Sequence, residues 1–361
     1  MKKLCLLIAV LVAATVARAF SFSVTVPSGQ TLYFDITSSS TVSVVAPDGN
    51  GWGDYTTRAG RLQIPAQVSH QGTTYNVTAI GNNALRECDG LTSVTLPSSV
   101  RSIGYTAFFR STALTSVHMV DGLETIGRMA FAACSALDTI EMPSTLTQIG
   151  ISAFNSTAYE ANTANWYNGM LSVGEYLIAV SSAIDSTVTV LFPTRGIANG
   201  AFYYCHNMPK VVLPEQLQFI GNLAFSDCEV LDTVVMHATV PPTLGDDAFT
   251  GVPSVTVVVP CGTGAAYRSA QYWSALNIVE DSCHESVESV DGQRPSVAVC
   301  QGGIVVSGAQ GAVVAVRDLL GRTVAMVHGA SALQRLSLPA KGIYIVSVDG
   351  ATAAKVAAYW K

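Results

Sequence analysis

Two successive stretches of this chain read LTSVTLPSSVRSIGYTAFFRSTA (residues 91–113) and LTSVHMVDGLETIGRMAFAACSA (residues 114–136). Isoleucine-glycine, followed three residues later by alanine and a large apolar side chain, recurs every 23 residues between Ile80 and Ile149. The isoleucine register returns at Ile197. A fixed period with apolar landmarks indicates a solenoid, because a coil this short buries its apolar face only by stacking on its neighbours.

Within one coil the residues alternate as in a strand with one buried face. Val94 and Leu96 are apolar, whereas Ser93 and Thr95 are polar. The form LxxLxL predicts a leucine-rich-repeat solenoid, with a parallel β ladder, coils of about 23 residues and short helical or irregular turns. We expect the repeat phenylalanines to form a stacked column. We also expect Gly104 to adopt backbone angles closed to other residues.

The residues between the inward-pointing apolar positions should face outward along the ladder. They are mostly hydroxyl-bearing or charged. A shallow polar stripe suits broad recognition of an extended protein or glycan through many contacts, rather than deep capture of a small ligand. The alternative is a solvated sheet face without a ligand. The candidate ligand-binding residues are Ser93, Thr95, Ser116, His118, Thr139, Glu141, Lys210, Val212, Thr233 and Val235.

Cysteine is part of the repeat, since four cysteines stand four residues after a repeat alanine. We expect them to be small buried thiols. A bridge between Cys205 and Cys228, one coil apart, is the alternative. Cys261 and Cys283 flank the last coil and, in an oxidising compartment, are the candidate disulfide. The four repeat cysteines are Cys88, Cys134, Cys205 and Cys228.

The repeat is interrupted by an extra segment at about 155–196. Its alternating apolar residues around a glycine-containing turn predict an inserted hairpin. Interruptions of this kind often form part of a binding face, which makes Trp166, Tyr167 and Tyr176 candidates for ligand contact. The alternative is that these rings pack the hairpin onto the solenoid.

The ends of the chain predict export and capping. Residues 1–19 have the basic start, short apolar run and small-residue cleavage site of a secretory signal peptide. We therefore expect a secreted mature chain without a transmembrane segment. An open solenoid end exposes its core, so residues 20–79 are predicted to form an N-terminal β cap and residues 260–284, approximately, a C-terminal cap.

Charge and motif content exclude several functions. From Phe20 to His284 the chain has 9 Lys and Arg against 20 Asp and Glu, so it lacks the basic stripe that a nucleic-acid partner requires. The six histidines lie far apart, and no HExxH, CxxC, GxSxG or phosphate-loop phrase occurs. We expect no enzyme activity, no cofactor and no metal site.

The repeat phrase Ile-Gly-x-x-Ala-Phe-x-x-Cys-x-x-Leu, with Leu-Pro-Ser-Ser-Val before it, resembles the BspA-type leucine-rich repeats of bacterial surface proteins. The resemblance covers roughly residues 20–283, with the solenoid itself at 80–284. It implies a surface-exposed or secreted binding protein. Some members of that family adhere to host matrix proteins or to other bacteria, and many have no assigned ligand.

A different domain follows a polar linker at 285–294. Residues 295–361 hold about seven short strand-like runs and predict a small all-β, immunoglobulin-like sandwich. The phrases Val316-Arg-Asp-Leu-Leu-Gly-Arg322 and Gly342-Ile-Tyr-Ile-Val346 resemble the C-terminal sorting domain of type IX secretion substrates. That resemblance implies the type IX machinery as a partner, export across inner and outer membranes of a Bacteroidetes cell, and often attachment to its surface. A plain immunoglobulin-like binding module is the alternative.

These patterns predict a secreted or cell-surface, non-enzymatic binding protein, adhesive toward host or bacterial proteins or glycans through the solenoid surface. The alternative is a structural component of the bacterial envelope or extracellular matrix without a specific host ligand. The sequence names no ligand, because no motif constrains the exposed residues of a solenoid face.

Overall fold

The chain divides into two compact units, Met1–Trp166 and Tyr167–Lys361, which are described one after the other. The predicted signal peptide (1–19), Cys283 and the predicted linker (285–294) lie outside the described residues. Within the described part of the chain, no helix is long and apolar enough to span a bilayer. The computed structural model describes residues 20–47, 60–191, 193–281, 296–300, 303–318, 323–328, 330, 333–338, 342–349 and 351–358.

The first unit is built from short strands, most of them two to five residues long, one α-helical turn and one 3-10 turn (Thr163–Asn165). A further short strand, β13 (Trp166–Tyr167), spans the division between the units. The elements of the first unit are β1 (Phe22–Thr25), β2 (Thr31–Ile36), β3 (Thr41–Val45), β4 (Gly60–Gln63), β5 (Gln67–His70), β6 (Thr73–Ile80), β7 (Leu91–Thr95), β8 (Ser102–Ile103), β9 (Ser116–His118), β10 (Thr125–Ile126), β11 (Thr139–Glu141), β12 (Gln148–Ile149) and α1 (Ala158–Ala161).

Each coil of the first unit contributes one strand to each of two sheets. One sheet has the order β1-β2-β3-β6-β8-β10-β12, with β5 paired to β6, and the other has the order β4-β7-β9-β11. Successive coils pair in parallel with a shift of one repeat, so that Ile103 lies beside Ile126 and Ile126 beside Ile149. The two sheets therefore run along the stack on different sides of each coil.

The core of the first unit contains the predicted phenylalanine column. Phe131 lies between Phe108 and Phe154, with ring centroids 5.0 and 5.3 Å apart and the rings nearly parallel. All three side chains are buried. Isoleucines from the second strand of each coil line the same interior, which makes the stack a continuous apolar core.

The repeat glycines are required for a different reason from the backbone angles that we expected at Gly104. That residue does not have a positive φ; the left-handed backbone positions of its coil are Thr106 and Arg110, with φ of 48° and 58°. Glycine is required because the coils approach closely there. A Cβ on Gly127 would lie 2.6 Å from the backbone carbon of Gly104 and 2.7 Å from the backbone nitrogen of Tyr105. The expectation of special backbone angles was wrong, and close backbone contact replaces it.

The repeat cysteines are buried free thiols, as predicted. The Cys134 thiol donates to the carbonyl oxygen of Phe108 in the preceding coil, at 3.0 Å. Ser111 occupies the equivalent position one coil earlier, and its hydroxyl donates to the carbonyl oxygen of Leu85 at 2.9 Å. Burial raises the pKa of the Cys134 thiol from 9.0 to about 12. This position therefore ties each coil to its neighbour through a small hydrogen-bond donor.

The second unit begins with an antiparallel hairpin and continues as parallel coils. Within this unit, one sheet has the order β14-β15-β17-β19-β21 and the other has the order β16-β18-β20-β22-β23. The elements are β14 (Met170–Val173), β15 (Tyr176–Val180), β16 (Val188–Thr189), β17 (Gly196–Ile197), β18 (Lys210–Leu213), β19 (Phe219–Ile220), β20 (Thr233–Met236), β21 (Thr243–Leu244), β22 (Thr256–Val259), α2 (Gly264–Ser269) and β23 (Asn277–Glu280).

The second unit repeats the core of the first. Phe225 lies between Phe202 and Phe249, with ring centroids 4.7 and 5.0 Å apart. The Cys228 thiol donates to the carbonyl oxygen of Phe202 at 3.1 Å. Cys205 and Cys228 are free, so the alternative of a bridge between them was wrong. Both units thus contain the parallel β-solenoid with little helix that the 23-residue period predicted.

The last solenoid coil is followed by two buried aromatic side chains. The Tyr267 hydroxyl donates to the carbonyl oxygen of Ala238 at 2.7 Å, and the Trp273 indole donates to that of Pro242 at 2.8 Å. Their rings pack edge to face with centroids 5.2 Å apart. Burial raises the pKa of the Tyr267 hydroxyl, and both polar groups are satisfied within the core.

The C-terminal part of the second unit consists of two antiparallel sheets. Their orders are β24-β25-β28 and β27-β26-β29-β30. Side chains including Ile304, Val316 and Val346 form a shared apolar core. The immunoglobulin-like type of this domain stays a prediction. The strands are β24 (Ser296–Cys300), β25 (Gly303–Ser307), β26 (Val314–Asp318), β27 (Thr323–Val327), β28 (Leu333–Ser337), β29 (Gly342–Val348) and β30 (Ala351–Ala358).

Candidate functional site

The outward side chains of β4, β7, β9 and β11 form two polar rows, which we call the polar ladder. The parallel register places Arg61 beside Ser93, and Ser93 beside Ser116. It likewise places Thr95 beside His118. The polar ladder consists of Arg61, Ser93, Ser116 and Thr139 in one row and Gln63, Thr95, His118 and Glu141 in the other.

Strand alternation puts these side chains outward. Leu62, Val94 and Val117 point into the core between them, and each is no more than 2% exposed. Thr95 and His118 are exposed on the other face, as the sequence predicted. The structure thus brings the six candidates from the first unit onto one face: Ser93, Thr95, Ser116, His118, Thr139 and Glu141.

A histidine–carboxylate hydrogen bond lies at the end of the polar ladder farthest from Arg61. His118 Nδ1 and Glu141 Oε2 are 2.8 Å apart, in register on neighbouring strands. Both side chains are more than half exposed, so the pair is expected to stabilise the fold by less than about 1 kcal/mol. The pair therefore contributes little to stability, and its main effect is on the polar groups that this face presents to a ligand.

A shallow polar depression of about 540 Å³ covers part of this face. Arg61, Ser93, Thr95, Ser116 and His118 line it. No hydroxyl hydrogen bond joins Ser93, Thr95 or Ser116 to another described residue. The depression therefore presents polar groups that remain available to a ligand.

Arg61 and Gln63 are not among the residues that the sequence predicts for this face, because residues 20–79 are predicted to form a cap. The signal was present: Arg61-Leu-Gln-Ile-Pro65 has the same alternation and proline as Ser93-Val-Thr-Leu-Pro97. β4 pairs with β7 through a register shift at Gly60, and Arg61 lies 32 positions before Ser93 rather than 23. The regular 23-residue period therefore does not predict that pairing.

The corresponding face of the second unit is less polar, because one of its two outward rows consists of valines. The outward row that contains Val212 and Val235 continues with Val258 and Val279, and we call these four residues the valine ladder. The other row contains Lys210 and Thr233, and continues with Thr256 and Asn277. Val212 and Val235 are half-buried, whereas Val279 is 44% exposed. The candidates in the second unit are Lys210, Val212, Thr233 and Val235.

The three aromatic candidates of the interrupted segment have separate environments. Tyr176 is 2% exposed and packs against Phe219, with ring centroids 6.0 Å apart, so ligand contact was wrong for this ring and the packing alternative holds. Trp166 is half-buried, and its indole donates to the carbonyl oxygen of Glu160 at 2.7 Å. Tyr167 is 60% exposed.

The remaining sequence predictions concern a disulfide and a metal site. Cys261 is disulfide-bonded, and its predicted partner Cys283 lies outside the described residues, so the pairing stays a prediction. Within the described ranges, no group of three His, Cys, Asp or Glu side chains is placed to hold a metal ion.

The family models identify the repeat. The BspA type leucine rich repeat region matches residues 68–185 and 192–289, with six copies of the repeat. These residues make up more than half of the chain. The protein belongs to the BspA-type leucine-rich repeat family. A domain of unknown function, DUF6383, matches residues 284–358.

Solved structures of leucine-rich repeat proteins are similar to this chain. One from Bacteroides capillosus is 31% identical, covering 38% of this chain and 93% of that chain with a TM-score of 0.31. One from Bacteroides ovatus is 18% identical, covering 69% and 88% with a TM-score of 0.33. A leucine rich cell surface protein from Faecalibacterium prausnitzii is 18% identical, covering 73% and 96% with a TM-score of 0.26. No curated protein matches the chain.

Proposed function

We propose that this chain is a secreted or cell-surface binding protein without enzymatic activity, adhesive toward host or bacterial proteins or glycans. The observation that carries the proposal is the polar ladder, in which outward side chains are in register across four strands. Membership of the BspA-type family supports it, since that family implies surface exposure. The ladder is the proposed binding face.

Many weak contacts fit this face better than one deep pocket. The strands of a parallel ladder are about 4.8 Å apart, so four strands present a regular array of polar groups over roughly 15 Å. An extended ligand lying across the strands would meet equivalent side chains on each one. Affinity would then depend on how many ladder positions the ligand contacts at once.

The binding face is tested with the full chain and two matched variants. Thr95→Val with His118→Val makes one row of the polar ladder resemble the valine ladder, while Val212→Thr with Val235→Thr makes the opposite change in the second unit. Immobilised protein is exposed to host matrix proteins and to envelopes of other bacteria, and capture is measured by surface plasmon resonance. We expect the first variant to lose capture and the second to retain it.

Two results would contradict this proposal. Full capture by the Thr95 and His118 variant would place binding elsewhere. Absence of capture by the wild-type chain across the panel would favour the second function, a structural component of the envelope or extracellular matrix. That component should then co-purify with the envelope of the producing cell.

For the C-terminal domain we propose sorting by the type IX secretion machinery, with export across both membranes and attachment to the cell surface. The family model assigns residues 284–358 no function, so the phrases around Val316 and Val346 carry this proposal. Deleting residues 295–361 in a bacterium with type IX secretion should leave the chain in the periplasm. Surface display of the deleted chain would contradict it.

A further inference from the structure

The depression on the polar ladder has an unusual charge for this chain. Asp and Glu outnumber Lys and Arg by 20 to 9 between Phe20 and His284. Nevertheless, among the residues that the structure describes, no Asp or Glu side chain lines the depression, whereas Arg61 does. A concavity whose described lining has an arginine and no carboxylate favours an anionic ligand.

Arg61 is available to such a ligand. Its side chain is exposed, and its guanidinium makes no ion pair or hydrogen bond with another described residue. The backbone beneath it is fixed, because the Gln30 side chain donates to the Arg61 carbonyl oxygen at 3.1 Å and β4 pairs with β7. A guanidinium binds carboxylate or sulfate oxygens through two parallel N–H donors.

The hydroxyls beside Arg61 favour a saccharide over a peptide. Ser93, Thr95 and Ser116 can each donate and accept, which matches the hydroxyls of a sugar. The apolar lining residues Leu62 and Val94 are no more than 2% exposed. The described lining of the depression therefore lacks the exposed aromatic or aliphatic anchor around which protein interfaces are usually built.

The two ends of the polar ladder have side chains of opposite charge. Arg61 lies on the first strand and Glu141 on the last, with Glu141 bonded to His118. A negative group is favoured at the Arg61 end and disfavoured near the Glu141 carboxylate. The ligand's acidic group should therefore lie over β4 and β7, with its hydroxyl-rich part extending toward β9.

We propose that the polar ladder binds an anionic saccharide, with Arg61 holding its carboxylate or sulfate group and the Ser93, Thr95 and Ser116 hydroxyls holding its sugar hydroxyls. This inference deepens the proposed function and rests on it. Arg61 supplies the charge selectivity, and the hydroxyl rows supply recognition of the sugar.

The test measures binding of the full chain to three oligosaccharides of equal length by calorimetry. A heparin-derived oligosaccharide carries sulfate together with carboxylate, a hyaluronan oligosaccharide carries carboxylate alone, and a chitin oligosaccharide is neutral. We expect the wild-type chain to bind one or both of the acidic sugars and to bind the neutral one at least about tenfold more weakly. Binding of both acidic sugars assigns the site to either anion, whereas binding of heparin alone assigns it to sulfate.

Arg61→Gln is the decisive variant, with Arg128→Gln as its matched control. Both changes remove one positive charge. Arg128 is exposed in the same unit but does not line the depression, so its replacement tests the effect of charge alone. We expect Arg61→Gln to weaken acidic-sugar binding about 10- to 100-fold. Arg128→Gln should have less than a twofold effect at physiological salt, by screening. Equal effects of the two variants, or tight binding of the neutral sugar, would overturn the inference.

Failure of this inference is distinguishable from failure of the proposed function. If Thr95→Val with His118→Val abolishes capture while Arg61→Gln does not, the ladder remains the binding face and the anionic ligand is wrong. If the wild-type chain binds no acidic sugar yet captures a protein through the ladder, the saccharide is again wrong. If the Thr95 and His118 variant binds every ligand like the wild type, both proposals fall.

Discussion

The two units have the same interior and different outer faces. Phe108, Phe131 and Phe154 stack in the first unit as Phe202, Phe225 and Phe249 do in the second. The outward rows differ, since the first unit presents the polar ladder and the second the valine ladder. Packing between coils therefore constrains the inward residues in both units, and leaves the outward residues free to differ.

The largest expected effect tests the shared interior. Phe131→Ala and Phe225→Ala each remove a ring stacked between two others, and each should lower the free energy of unfolding by about 3–5 kcal/mol. Chemical denaturation of the full chain, followed separately in each unit by hydrogen exchange, measures both. Tyr105→Ala is the control, because Tyr105 is 46% exposed and its loss should change stability by less than about 0.5 kcal/mol. A negligible effect of Phe131→Ala would refute the column.

The next effect tests the close approach of successive coils. Gly127→Ala places a Cβ against backbone atoms of the preceding coil, which cannot rotate away, and should cost about 1–3 kcal/mol or more. Gly221→Ala should cost a similar amount in the second unit, since its Cβ would lie 2.5 Å from the backbone nitrogen of Asn199. The measurement is the denaturation midpoint. Wild-type stability of both variants would show that the coils can separate without loss.

A smaller effect concerns the thiol that links coils. Below pH 9 the Cys134 thiol is protonated in both states, whereas above pH 9 the unfolded thiol ionises and the folded one keeps its proton until about pH 12. Stability should therefore fall as pH rises above 9, with this thiol contributing about 1.4 kcal/mol per pH unit.

The control for this pH dependence is Cys134→Ser, in which the hydroxyl can make the bond to the preceding coil that Ser111 makes. Its unfolding free energy, measured between about pH 8 and pH 11 where Ser does not titrate, should fall less steeply than that of the wild type. Identical slopes for the two chains would show that the Cys134 thiol does not carry the dependence.

The smallest expected effect concerns the outer face. Glu141→Gln removes the carboxylate that contacts His118 and should change the free energy of unfolding by less than about 1 kcal/mol, because water screens both exposed side chains. Thermal melts of the two proteins at low and high salt measure it. A loss of several kcal/mol would mean that the polar ladder holds the fold together, which would remove the contrast between inward and outward residues.

The period of the sequence predicted the stacking and the shift of one repeat between paired strands. The period did not predict features that depend on distances or pairings outside the 23-residue repeat. The role of Gly127 depends on the distance between backbones of different coils, which side-chain spacing does not report. Arg61 was missed because β4 pairs out of the regular period. The sequence left two roles open for Tyr176, because a hairpin's alternation shows two faces but not which one the neighbouring Phe219 covers.

The most direct test of the polar ladder is hydrogen exchange of the full chain with and without the protein or saccharide that the wild-type chain captures. We predict slower exchange in β7 and β9, at Leu91–Thr95 and Ser116–His118, and no change in β18 and β20 of the second unit. Slower exchange confined to β18 and β20, with β7 and β9 unaffected, would contradict the account.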